Sequence, residues 1–227
     1  MMAAVNGSNP FEVAFSTSIA GSFHYSLREF EQAEALSARA LELSEKNQIP
    51  ITTASCRCAL GQARAQLGRA TEGIALIRQG IAGLREIGTH VLDTIITMGL
   101  AEAQERDGAI ADAFETVEQA LRANPDELVI RPAALRLRGE LRLKQGQSEL
   151  AEADFGEAIA LAQKMGAKAW ELRATMSLAR LLVKQGKREE ARAMLAEIYN
   201  WFTEGFDTAD LKDAKTLLDE LREEPNP

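Results

Sequence analysis

Catalytic and metal-binding chemistry has little to work with in this chain. It holds two cysteines and two histidines, and only 5% of its residues are aromatic. Cys56 and Cys58 are two residues apart on a predicted helix, about 200° around its axis, so they cannot readily share a metal. They read as reduced, partly buried thiols of a cytosolic chain. His24 and His90 fall in different parts of the sequence, and neither has a partner at a useful spacing. No glycine-rich loop ends in Lys-Ser or Lys-Thr, since Gly186-Lys187 runs into Arg188, so a phosphate cradle is missing. Carboxylates are plentiful, but paired acids on a helix face are ordinarily solvated. The expectation is a protein that is not an enzyme and takes no metal or cofactor.

Two further absences concern location and partners. No apolar run approaches the roughly 18–20 residues of a membrane span, and no Lys or Arg precedes Arg28, which makes residues 1–25 a poor signal peptide. A cytoplasmic protein with no membrane partner is expected. The net charge is −8, and most of it lies from Glu197 onward, where nine acidic residues face only Lys212, Lys215 and Arg222. No basic stripe exists for nucleic acid. The acidic end reads as solubilising a terminal helix, with attraction to a basic partner as the alternative.

What the chain does have is a repeat. Gly68, Gly108, Gly146 and Gly186 are each followed five residues later by Gly73, Ala113, Ala151 or Ala191, and preceded seven earlier by Gly61, Ala101, Gly139 or Ala179. A fainter copy has Gly21 and Ala33 in the same two roles, with Arg28 at the glycine position. Apolar residues on both sides of each glycine fall at helical spacing, as in Leu178, Leu181, Leu182 and then Ala191, Leu195, Ile198. A glycine at the reversal can take positive φ, and small residues beside it let two antiparallel helices approach to about 8–10 Å. Ile77, Val117, Phe155 and Leu195 share a bulky position, and Ala40, Gly80, Ala120 and Ala158 a third small one that Ile198 breaks.

This order of small, small, bulky and small residues resembles the tetratricopeptide repeat, whose usual unit is about 34 residues with a proline near its end; Pro125 stands at that place. The spacing here is nearer 40, and the extra residues are expected in the links between hairpins, together with Pro50, Pro125 and Pro132. The resemblance implies an all-α, right-handed solenoid of antiparallel helix pairs. Five hairpins are expected at about 10–47, 51–88, 91–124, 131–165 and 169–200, between a disordered start (1–9) and a capping segment (201–222) with a disordered tail (223–227).

After Ile198 the repeat stops. A short amphipathic helix follows, with Leu211, Ala214, Leu217, Leu218 and Leu221 as its apolar stripe. Asp207 or Thr208 is placed to cap it, and Asp210 suits the positive end of its dipole. Trp201, Phe202 and Phe206 are expected to pack on the last hairpin, with a docking surface around Trp201 as the alternative. The runs Arg131-Pro-Ala-Ala-Leu-Arg-Leu-Arg-Gly-Glu-Leu, Trp170-Glu-Leu-Arg-Ala and Trp201-Phe-Thr-Glu-Gly-Phe-Asp-Thr-Ala-Asp-Leu also resemble the C-terminal repeats of large bacterial signalling proteins. In those, a class III adenylate/guanylate cyclase domain or another effector precedes an AAA-like ATPase domain. That resemblance implies a regulatory or scaffolding segment, lends no catalytic residues, and leaves open a functional short protein or a relic of a longer one. With nothing upstream to cover the first hairpin, Phe11, Phe15 and Phe23 are expected at an exposed end that self-associates or docks on another chain.

In the tetratricopeptide architecture the first helix of each hairpin lines the inner groove. The register places Met98, Glu102, Glu105, Arg136, Glu140, Arg173, Met176 and Arg180 on that wall. Two readings stand side by side. Glu140 pairs with Arg173 or Arg180 of the next unit, or Arg136, Arg173 and Arg180 form a patch for an acidic segment or C-terminal carboxylate. The Lys/Asn clamp of chaperone-binding repeats is not evident. The function expected is a non-catalytic module for a protein or peptide partner. The alternatives are a detached regulatory part of a cyclase/ATPase-type protein, or a peptide-sensing regulator, for which no DNA-binding domain is found.

Overall fold

A computed structural model describes residues 9–89, 93–123 and 129–222. The expectations about both chain termini, His90 and Pro125 therefore lie outside the described residues, except that Asn9 is ordered, its side chain accepting the Phe11 N–H at 3.1 Å as the cap of the first helix. Among the described residues there are eleven helices and no strand: α1 (Pro10–Ser26), α2 (Phe30–Lys46), α3 (Pro50–Gln66), α4 (Ala70–Glu86), α5 (Asp93–Arg106), α6 (Ile110–Ala123), α7 (Arg131–Lys144), α8 (Ser148–Met165), α9 (Lys168–Lys184), α10 (Arg188–Tyr199) and α11 (Ala209–Glu220). They form two compact units, Met1–Ala113 and Phe114–Pro227, whose boundary falls inside α6.

The repeat glycines sit where the sequence put them. Gly68, Gly108, Gly146 and Gly186 have φ of 84, 81, 77 and 81°, and Arg28 takes the same left-handed conformation at 64°. The residue after each of these donates its N–H to the carbonyl five residues back, as Arg69 does to Arg64 at 2.9 Å, which closes the helix end in a Schellman turn.

Two expectations about the links fail. In the first two hairpins the extra residues lengthen the helices, which run to 17 residues each, and the link between α2 and α3 is only three residues long. Pro50 is the first residue of α3 and Pro132 lies in the first turn of α7. Both places tolerate the missing N–H because the first turn has no intrahelical acceptor.

Within each unit the helices pair as antiparallel hairpins, with the first helix of one hairpin against that of the next. Ile77, Val117, Phe155 and Leu195 are all fully buried. A Cβ at Gly61 would lie 2.5 Å from the Gly73 carbonyl oxygen, so α3 and α4 touch backbone to backbone. In α7 a Cβ at Gly139 would instead strike the Phe155 ring at 2.5 Å.

At the C-terminal end, Leu211, Ala214, Leu217, Leu218 and Leu221 bury themselves against α9 and α10, as the stripe predicts. The cap differs. Thr208 precedes α11, but its hydroxyl donates to the Gly205 carbonyl at 2.7 Å and leaves the helix N–H groups alone. Of the three aromatics only Phe202 packs on the core cluster. Trp201 is 58% exposed, with the Lys168 ammonium 5.4 Å from its ring, and Phe206 leans on Tyr199 while remaining exposed.

Candidate functional site: the inner helix layer

In the first unit the inner layer is α1, α3 and α5. The Tyr25 hydroxyl on α1 donates to Glu102 Oε2 on α5 at 2.8 Å and accepts from Gln66 Nε2 on α3 at 3.3 Å. The two hydrogen bonds tie α1, α3 and α5 together on this face of the layer. Burial, and then the Glu102 carboxylate beside it, hold the Tyr25 phenol well above its ordinary pKa. Gln62 fills the space left by the absent side chain of Gly99. Met98 is buried in the layer rather than displayed, at 4% exposure, and Glu105 lies 4.0 Å from Arg106. The first unit therefore seals its inner face with its own hydrogen bonds.

In the second unit α7, α9 and α11 form the corresponding layer. Glu140 accepts from Arg136 of its own helix at 2.6 Å and from the Ser177 hydroxyl of α9 at 2.8 Å. Its expected pairing with Arg173 or Arg180 is replaced because a partner one turn away is nearer. Arg173 is drawn off to Asp210 of α11, at 2.7 Å, with its guanidinium 5.2 Å from the Trp170 ring. Met176 is buried like Met98. Arg180 is exposed, and among the described residues it has no ion pair. The expected three-arginine patch is thus reduced to one available charge, with Arg136 and Arg173 already neutralised.

Sequence reasoning missed Tyr25, Gln62, Gln66 and Asp210. The signal for Tyr25 and Gln62 was present: Tyr25 stands four residues after Gly21, as Glu105 does after Ala101, and Gln62 follows Gly61 as Glu102 follows Ala101. It also missed a buried ion cluster on the outer side of α7. There Arg138 and Arg142 hold Asp154 of α8 at 2.6 and 2.7 Å, and Arg138 reaches Glu118 of α6 at 3.0 Å.

His24 does find a partner, Glu29 at 2.5 Å across the first turn, an interaction of hairpin closure. Cys56 and Cys58 are both free and buried. Burial pushes the Cys58 thiol up to about 12, and Cys56 in the same direction. Among the described residues no three His, Cys, Asp or Glu side chains are grouped to hold a metal ion, and no helix is long and apolar enough to cross a membrane.

Paired helices turning on left-handed residues and layered first helix to first helix define a helical-repeat protein of the tetratricopeptide class. Within it the chain belongs to the family of MalT-like TPR regions, whose model matches residues 20–219. Among solved structures, NprR in complex with its cognate peptide NprX is similar with a TM-score of 0.80 at 16% identity, covering 98% of this chain and 66% of that one. A thermophilic TPR protein of Thermus thermophilus gives 0.66 at 20% identity, over 92% and 98%. A signal transduction ATPase with numerous domains from Pyrococcus horikoshii, which carries a tetratricopeptide repeat sensor, gives 0.68 at 15% identity, over 92% of this chain and 32% of that one. No curated protein matches the chain.

Proposed function

We propose that the chain is a non-catalytic module that binds a protein or peptide segment on the inner layer of its second unit, as a cytoplasmic scaffold or regulatory element in bacterial signalling. The observation that carries this reading is the asymmetry of charge on that layer. Arg136 and Arg173 are neutralised by Glu140 and Asp210, while Arg180 of α9 stands exposed without an ion pair among the described residues. A guanidinium so placed suits an acidic side chain or a C-terminal carboxylate. The likeness to NprR with a peptide bound supports a peptide as the form of partner.

The test is selection from a display library of short peptides with free C-terminal carboxylates, followed by titration of the enriched peptide. Arg180→Glu is expected to weaken binding by about tenfold or more, the loss of one charge-assisted contact of about 1.5–3 kcal/mol. Equal affinity in that variant, with its helical circular dichroism intact, would remove the site.

A second reading has its own support. The Pyrococcus horikoshii ATPase carries such a repeat array as a sensor, which favours a regulatory segment acting on a cyclase or ATPase chain. Crosslinking in native lysate with C-terminally tagged protein separates the two, because only this reading expects a nucleotide-handling chain at stoichiometric yield.

A further inference from the structure

Cations on the first helices of the hairpins are nearly all engaged. Every Lys and Arg of α3, α5 and α7 has a partner, as do Lys168 and Arg173 of α9. Two remain, Arg180 and Lys184, both exposed and both on α9. Among the described residues neither lies within ion-pair distance of a carboxylate. The local sequence accounts for this. From Leu172 to Arg188 there are Arg173, Arg180, Lys184, Lys187 and Arg188 and no Asp or Glu, in a chain whose net charge is −8.

The repeat register gives the two positions a meaning. They stand one and five residues after the small residue Ala179; the same places hold Gln62 and Gln66 after Gly61, and Glu102 and Arg106 after Ala101. In the first unit these side chains close the wall: Gln62 fills the space beside Gly99, Gln66 donates to Tyr25, and Glu102 accepts from it. After Gly139, Glu140 is taken by Arg136 and Ser177. On α9 both places carry positive charge. Like charges four residues apart repel, so Arg180 and Lys184 cannot satisfy one another.

An occupant that satisfies both must bring negative charge in two places. Residues four apart on a helix face stand about 5–6 Å apart at Cβ. In an extended segment, side chains two residues apart point the same way and stand about 6.5 Å apart. A single C-terminal carboxylate answers one cation and leaves the other. An amphipathic helix needs an apolar strip to land on, and no large apolar side chain of α7 or α9 is exposed. Resting on the peptide-binding reading of this wall, we infer that α9 takes an extended peptide segment with two acidic side chains separated by one residue. One carboxylate meets the fork of Arg180, and the other meets the Lys184 ammonium.

The test uses the intact chain and a display library of short segments held at both ends, so that no terminal carboxylate is offered. Enriched segments are expected to carry Asp or Glu at two positions with one residue between. Arg180→Ala and Lys184→Ala should each weaken the enriched segment by about tenfold, while Lys184→Arg keeps its affinity. Lys184→Glu should bind again when the matching acid of the segment is changed to Lys, a recovery that misfolding cannot imitate. A segment that depends on Arg180 but not on Lys184, or that lacks the paired acids, overturns this inference and leaves the single-carboxylate reading standing. Failure to enrich, while segments with free carboxyl ends bind through Arg180, has the same meaning. Indifference to both cations, or no enrichment from either library, removes the reading as well.

Discussion

Hairpin α3/α4 and hairpin α7/α8 obey one repeat register and solve its packing in different ways. In the first, glycines face each other at Gly61 and Gly73, leaving the Gly73 carbonyl where a Cβ of residue 61 would stand, and the interior is alanine, isoleucine and the buried thiol of Cys58. In the second, one glycine faces a phenyl ring, and Asp154 is sunk beneath two arginines. The inner faces differ in parallel. Tyr25, Gln66 and Glu102 close the first unit's wall on itself, whereas the second keeps an exposed Arg180. The register thus specifies pairs of volumes, not residue types, and leaves the polar side of each helix free to be used for closure or for binding.

Removing the centre of the ion cluster should break the second unit's solution with the largest effect. Asp154→Ala leaves Arg142 half-enclosed with no counter-charge and Arg138 with Glu118 alone, and stranding a buried charge in this way costs about 3–5 kcal/mol. Some of that is recovered because both guanidiniums reach solvent, with 17% of each side chain exposed, so about 3 kcal/mol is expected by denaturant titration. A loss below about 1 kcal/mol, the range of ordinary surface pairs, would mean the cluster contributes nothing beyond them.

Alkali should attack the first unit's solution instead. The thiol of Cys58 is raised to about 12 from 9.0, and the Tyr25 phenol is raised from 10.0. Between about pH 9 and 12 the unfolded chain releases these protons and the folded chain keeps them, so unfolding becomes more favourable as pH rises. Stability is full below about pH 9 and falls above it, each group contributing at most about 1.4 kcal/mol per pH unit. Cys58→Ala should flatten part of that slope and Tyr25→Phe another part. Melting temperatures whose pH dependence is the same in both variants as in the parent would show that neither group is protected by folding.

The helix pairs, the buried positions at each bulky site and the α11 stripe were legible because they rest on periodic volume, which a single sequence displays directly. The wall was less so. Met98 and Met176 occupy wall register positions but turn into the layer, since helical register gives a direction to within a turn and not the burial of a flexible side chain. The partners of Glu140 and Arg173 depended on rotamers and on where α11 came to rest, neither of which is periodic. A fourth regularity was in plain view and went unused. Left-handed residues recur every 20 residues, at 28, 48, 68, 88 and 108 and again at 146, 166 and 186, so turns between hairpins are built like turns within them. Gly88 and Gly166 carried that signal, and Gln48 concealed it.

Gln48 also gives the mildest and cleanest test of the half-repeat. It holds φ of 55° in the turn between α2 and α3 and is exposed, so its side chain has little packing to lose. A residue with a Cβ costs about 1–2 kcal/mol in this conformation, while glycine there loses more backbone entropy on folding, by roughly 0.5–1 kcal/mol. The difference favours Gln48→Gly by up to about 1 kcal/mol, seen as a small rise in melting temperature. The same substitution two residues earlier, at Lys46, falls on the last helical residue and should cost about 0.5–1 kcal/mol. Opposite signs at the two sites would place the left-handed turn at residue 48, and a loss at both would remove the 20-residue period from this end of the chain.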